Sequence, residues 1–190
     1  LARDLPPADG YARLFATAAS VPAGAGGLLV LPYFSGERTP INDPDARGII
    51  AGLTLAHTRE HLFRAMLEGV GFGVRHNLEA FAQIGARVDR IVAVGGGAQS
   101  DTWLQIISDI ANVSQLVPQV TIGASYGDAF LAGRAAGLLK ASDIRAWVQP
   151  GRTIQPDPAH RALYERMYLQ YLRLYENTKD LMHEIGRSHE

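Results

Sequence analysis

The sequence contains no cysteine, which excludes a disulfide framework, a thiolate metal site and a cysteine nucleophile. Excess charge of one sign is also missing: 18 Lys and Arg stand against 19 Asp and Glu, a formal net charge of −1 at pH 7. Nothing in that balance would draw the chain to a nucleic acid or an anionic membrane. No apolar run reaches the roughly 20 residues needed to span a bilayer, and Leu1-Ala-Arg-Asp4 is no signal peptide. Internal repeats and low-complexity tracts are absent as well. Together these absences predict a soluble, cytoplasmic protein without a nucleic-acid or membrane partner. There is no initiator methionine either, and the opening residues read as the tail of a helix, which predicts a fragment.

With 190 residues, 47% hydrophobic and 19% charged, the chain is large enough to bury one sizeable core. Pro6-Pro7 and Asp9-Gly10 break the opening segment, and Tyr11 to Ala19 predicts a short helix. Gly24 to Gly27 reads as a flexible turn, Leu28 to Leu31 as a buried strand ended by Pro32, residues 33–48 as an ordered surface loop, and Gly48 to Leu53 as a second strand. Thr58 is a good N-cap with Glu60 in the first turn. Phe63, Met66, Leu67, Val70, Val74, Leu78 and Phe81 follow at helical spacing and predict one long helix to about Ile84. Gly69, Gly71 and Gly73 lie inside it, each costing about 1 kcal/mol against alanine. Close packing on that face is the expected compensation.

A regular alternation follows. Arg90 to Val94 reads as a strand, Gly95 to Gly97 as a turn, Asp101 to Asn112 as a helix, Ser114 to Val117 as a strand and Ser125 to Leu138 as a helix capped by Ser125. Strand and helix alternating at this length imply parallel pairing with right-handed crossovers. Residues 150–158 read as a linker, after which Asp157-Pro158 opens a last helix to about Glu184 bearing a stripe of Tyr164, Tyr168, Tyr171 and Tyr175. The expected division is therefore a lobe over 1–150, and a linker with a packed helix over 151–190.

The segment with the most chemistry in it is Val94-Gly-Gly-Gly-Ala-Gln-Ser-Asp-Thr-Trp103. Glycines between strand and helix let backbone approach a phosphate, and the helix N-terminus offers free N–H groups and a positive dipole end. A tight turn whose glycines serve only their backbone angles is the equally open alternative. A Walker A loop is excluded, since no Gly-Lys-Ser/Thr follows. A dinucleotide site is disfavoured, because Ser100 stands where the third glycine belongs and Ser114 to Gln119 supplies no carboxylate.

The run Gly95 to Gln105, with Ser108-Asp109 after it, resembles the adenosine motif of the FGGY carbohydrate kinases. Upstream, Gly48, Ile50, Gly52, Leu53, His61, Leu62, Ala65 and Glu68 satisfy every position of that family's signature in this region. Leu31-Pro-Tyr-Phe-Ser-Gly-Glu-Arg-Thr-Pro40 resembles the loop of xylulokinase-like members, and the tyrosine-bearing last helix also fits. The resemblance implies an α/β, ribonuclease H-like domain of the actin and hexokinase type with a C-terminal helical extension, its first part lying before Leu1. It implies an ATP-binding lobe using ATP and Mg²⁺, with a sugar as substrate, the N-terminal lobe of the same polypeptide as partner, and a homodimer as a further partner state. Gly96 and Gly97 would approach the phosphates, and Ala98 and Asp101 would line the ribose and adenine side. Gly97 would sit where a side chain blocks the ligand, and Asp101 has a second reading as a helix cap. No catalytic residue is expected here, because the family's catalytic aspartate belongs to the other lobe and a second phosphate turn lies upstream. A xylulose-like ketose is the expected acceptor, against the alternative of a non-catalytic ATP-sensing module.

Other polar residues receive structural readings. Asp43, Asp45 and Arg47 are expected to organise their loop through turn hydrogen bonds, and Glu37 and Arg38 either to meet the N-terminal lobe or the sugar or to form a salt-bridged loop. His57, His61 and His76 lack metal-ligand spacing. Glu68 is expected to be a structural partner, and the tyrosine stripe to pack on the core with its hydroxyls at the edge. Asn42 replaces the family's usual aromatic before Asp-Pro, and Thr121 to Asp128 departs from the commoner acid-then-Gly-Ala-Ala pattern.

Overall fold

The computed structural model describes residues 10–187; the expected helix tail at Leu1 to Asp4 and the Pro6-Pro7 break lie outside them. Helix α1 (Gly10–Ser20) leads into a 3-10 turn at Ala25–Gly27 and then strand β1 (Leu29–Leu31). Strand β2 (Ile49–Ala51) pairs antiparallel with β1. Helix α2 (Arg59–Gln83) follows, then β3 (Ile91–Val92), α3 (Asp101–Ala111), β4 (Gln115–Pro118), α4 (Ala124–Ala135), a short α5 (Ile144–Trp147), β5 (Pro150–Ile154) and α6 (Arg161–Arg187). A second sheet has the order β3-β4-β5, with β3 and β4 parallel across the α3 crossover, as the alternation predicts.

The segment expected as a linker over 150–158 is one only in its last part, residues 155–157. Residues 150–154 are strand β5, antiparallel to β4 in a register that sets Arg152 opposite Val117 and Thr153 opposite Leu116. The β-branched Thr153 and Ile154 favour the extended chain, and β4 offers them an open edge. Helix α4 is capped at Gly123 rather than Ser125. It stops at Ala135 because Gly137 turns left-handed at φ +74° and the Gly137 and Leu138 N–H groups fold back onto the Arg134 and Gly133 carbonyls.

The core is assembled by the helices. Ala18 of α1, Leu31 of β1, Leu67 and Phe72 of α2, and Ile106 and Ile110 of α3 bury together with Tyr164, Tyr168 and Tyr171 of α6. Glycines in α2 allow the approach, two of them strongly. A Cβ on Gly69 would lie 2.5 Å from the Val30 carbonyl, and one on Gly71 would lie 2.8 Å from Ile110 Cδ1. Gly73 differs from the expectation: its nearest neighbour is the Tyr171 hydroxyl at 3.8 Å, an ordinary contact.

Tyr164, Tyr168 and Tyr171 of the stripe are buried and Tyr175 is partly so, but the hydroxyls are not all at an edge. Tyr164 donates to Glu68 Oε1 at 2.9 Å, deep in the core, and the Tyr171 and Tyr33 hydroxyls meet at 2.8 Å. Tyr168 donates to Glu79 and Tyr175 to Asp43. Glu68 is 1% exposed, bonded to Arg64 Nε at 2.7 Å and to the Gly24 N–H at 2.9 Å. Its structural reading therefore holds, and the Gly24–Gly27 turn is pinned rather than flexible. Burial pushes the Glu68 carboxyl above its ordinary value, even though Arg64, Gly24 and Tyr164 each act to lower it.

Candidate functional site

Strand β3 delivers the glycine turn. Beyond Val92 the Ala93 N–H still reaches the Leu116 carbonyl at 2.9 Å, and the Gly95 N–H reaches the Thr121 carbonyl at 2.6 Å. Gly95 then takes φ +85° and ψ −170°, which only glycine adopts readily, and turns the chain into a 3-10 turn over Gly96–Gln99. Ser100 caps α3 by accepting from the Trp103 N–H at 3.2 Å. The residue expected as an alternative cap, Asp101, occupies the helix's first turn instead.

The residues expected at the site differ in what they present. Added Cβ atoms at Gly95 and Gly96 would meet nothing within 4 Å, so the backbone there borders open space. At Gly97 an added Cβ would lie 2.7 Å from Trp103 Cζ3. The absence of a side chain at Gly97 is therefore required by the indole packed beneath it, whatever lies above. Trp103 stacks in turn on Phe15, with centroids 6.0 Å apart, so the turn rests on α1. Ala98 is 3% exposed and packs with Leu104 and Val117, and its N–H donates to the Gly95 carbonyl at 3.1 Å. Asp101 is mostly exposed and forms an ion pair with Arg152, whose guanidinium also donates to the Ala98 carbonyl at 3.4 Å.

Arg152 was invisible from the sequence, because its segment reads as a linker. The paired β-branched residues at Thr153 and Ile154 were the available signal. What results is a surface patch of open backbone, a helix N-terminus, a carboxylate and a guanidinium, a set suited to a polar anionic ligand.

The other candidate residues lie elsewhere. Glu37 and Asp43 exchange backbone hydrogen bonds at 2.9 and 2.8 Å, and Glu37 Oε1 accepts from the Thr39 N–H, so this acid organises its own loop. Asp43 accepts from the Asp45 N–H, and Arg47 donates to the Pro44 and Ala46 carbonyls, as turn chemistry predicts. Asp43 also holds Tyr175 and His183 at 2.7 Å each, fixing the loop to α6. Among the described residues no group of three or more His, Cys, Asp or Glu could hold a metal ion, and no helix is long and apolar enough to cross a membrane.

Residues 2–136 match the profile of the FGGY family of carbohydrate kinases, C-terminal domain. The chain belongs to that family. It is 34% identical over 181 residues to the xylulose kinase of Bacillus subtilis, covering 94% of this chain and 36% of that protein. It is 39% identical over 162 residues to the glycerol kinase of Thermus brockianus, covering 84% of this chain and 32% of that one. The crystal structure of xylulose kinase from Rhodospirillum rubrum superposes with a TM-score of 0.80 at 37% identity, over 94% of this chain and 36% of that chain. The chain thus spans about a third of the length of these relatives.

As a mixed α/β FGGY domain ending in a long helix, the chain also shows what its upstream signature does physically. Gly52 takes φ +89°, and a Cβ there would lie 2.8 Å from the Gly27 carbonyl, while Glu68 binds the Gly24 N–H. Gly52 and Glu68, two positions of the signature, thus both abut one turn, Gly24–Gly27.

Proposed function

We propose that this FGGY domain is the ATP-holding lobe of a cytoplasmic sugar kinase, ribonuclease H-like in architecture, that passes the γ-phosphoryl group of ATP to a hydroxyl of a xylulose-like ketose. The observation that carries the reading is the open backbone at Gly95 and Gly96, set directly against the N-terminus of α3. Free N–H groups and the helix dipole favour phosphate oxygens there. Gly96 and Gly97 would approach the phosphates through their backbone, while Ala98 and Asp101 would line the ribose and adenine side. Mg²⁺ would arrive on the phosphates and neutralise the charge that develops during transfer. The base that takes the sugar proton, most of the sugar contacts and the first phosphate loop are assigned to the N-terminal lobe of the same polypeptide, and the second phosphate turn to the part of this lobe that lies before Leu1. The Leu31–Pro40 loop favours xylulose as acceptor, and the glycerol kinase relatives make glycerol the control.

Calorimetric titration of ATP into residues 1–190 should show weak binding, since one of two phosphate turns is present. Phosphoryl transfer should be undetectable, because general-base catalysis alone contributes about 10²–10⁴-fold and positioning is lost with it. The complete gene product should release ADP when given xylulose and far less when given glycerol. Sugar-dependent ADP release by residues 1–190 at the rate of the complete protein would overturn this division of labour.

A further inference from the structure

The nucleotide reading leaves an electrostatic conflict at the glycine turn. An acid in the first turn of a lone helix is ordinarily stabilising, yet Asp101 sets its carboxylate beside the backbone that would receive a polyphosphate. Two negative groups competing for one helix N-terminus weaken each other's binding. The fold supplies a remedy from 51 residues away in sequence. The pairing of β5 with β4 sets Arg152 opposite Val117, at the end of the sheet that borders the turn. From there its guanidinium reaches both the Asp101 carboxylate and the Ala98 carbonyl.

We propose that Arg152 is a nucleotide-positioning residue: it neutralises Asp101 and ties the Ala98 carbonyl back, so that the turn presents N–H groups to a polyphosphate without an opposing charge. This rests on the nucleotide reading above. The exposure of the pair argues for the role. Its side chains are 48% and 73% accessible, and an ion pair that open adds little to stability. Its field still acts on any anion at the turn. A single terminal nitrogen of the guanidinium donates to both the carboxylate and the carbonyl, so one positive group serves both acceptors.

The test uses the complete enzyme and ATP. Arg152→Ala should raise the KM for ATP about fivefold, with the KM for sugar moving much less and the effect shrinking as salt rises. Arg152→Lys should retain part of the ATP affinity, since the charge stays while the fixed planar geometry that holds it in place is lost. The deciding variant is the double change Asp101→Asn with Arg152→Ala. Asparagine keeps a hydrogen-bonding side chain but removes the charge, so the double variant should bind ATP better than Arg152→Ala alone. A double variant as weak as, or weaker than, Arg152→Ala would mean that Arg152 only docks β5, and would overturn the proposal. So would an unchanged KM for ATP in Arg152→Ala. If instead the unaltered enzyme fails to bind ATP, the nucleotide reading itself falls, an outcome read on the unaltered enzyme alone and so distinct from the failure of this proposal.

Discussion

At the scale of single residues, neighbouring glycines in one motif do different work. Gly96 borders open space, whereas Gly97 is held clear by the Trp103 indole. Gly96→Val should therefore leave the unfolding temperature nearly unchanged while raising the KM for ATP. Gly97→Val should push the indole off Phe15 and destabilise the domain by overpacking, on the order of 1–3 kcal/mol. Thermal unfolding of the two variants beside ATP kinetics separates them, and equal stabilities would mean that Trp103 yields freely. The motif was legible in the sequence because glycines between a strand and a helix have few physical uses. The indole beneath Gly97 was not, since the contact depends on the path of the 3-10 turn. Arg152 was less legible still, because an exposed arginine among Pro, Gly and Gln carries no periodicity.

At the scale of elements, helix α2 shows how far composition alone can go. Its apolar spacing, its Thr58 start and its length are all readable, and Thr58 donates to Glu60 Oε2 at 2.6 Å while its backbone N–H reaches His61 Nδ1. Which of its glycines mark close approach is not readable, because that depends on what crosses each face. Gly69→Ala should destabilise, since a methyl 2.5 Å from the Val30 carbonyl must displace backbone. Gly73→Ala should stabilise by up to about 1 kcal/mol, the gain in helix propensity with room to spare. Urea unfolding of the pair gives opposite signs if this holds, and the same sign for both would refute the assignment of space. Strand β5 was missed for a related reason: an edge strand gets its pairing from a neighbour, and the neighbour is distant in sequence.

At the scale of the whole molecule, the loop after β1 and the far end of α6 are joined through Asp43. Burial alone would raise its carboxyl, but hydrogen bonds from His183, Tyr175 and the Asp45 N–H outweigh burial and hold it below the ordinary carboxylate value. In the pH range between the lowered and the ordinary value, the unfolded chain binds more protons than the folded one. The stabilisation is thus fully present above about pH 4 and is lost as pH falls through the folded value. Asp43→Asn should flatten the acid limb of a plot of unfolding temperature against pH, leaving the neutral region lower but level. An acid limb as steep as that of the parent would place the titrating carboxylate elsewhere.

The hydroxyls along α6 have a consequence for how the chain is made. Tyr164, Tyr168, Tyr171 and Tyr175 each clasp a part of the chain laid down far earlier, from Tyr33 and Asp43 to Glu68 and Glu79. During synthesis, the ribosome emits residues 10–154 before any of these clasps can close. Phe72, Ile106 and Ile110 must therefore wait, partly uncovered, for a helix still in the exit tunnel, which makes the nascent chain a natural client for a chaperone that holds apolar surface. The core cannot be completed until residues 161–187 arrive, because Tyr164, Tyr168 and Tyr171 are part of it.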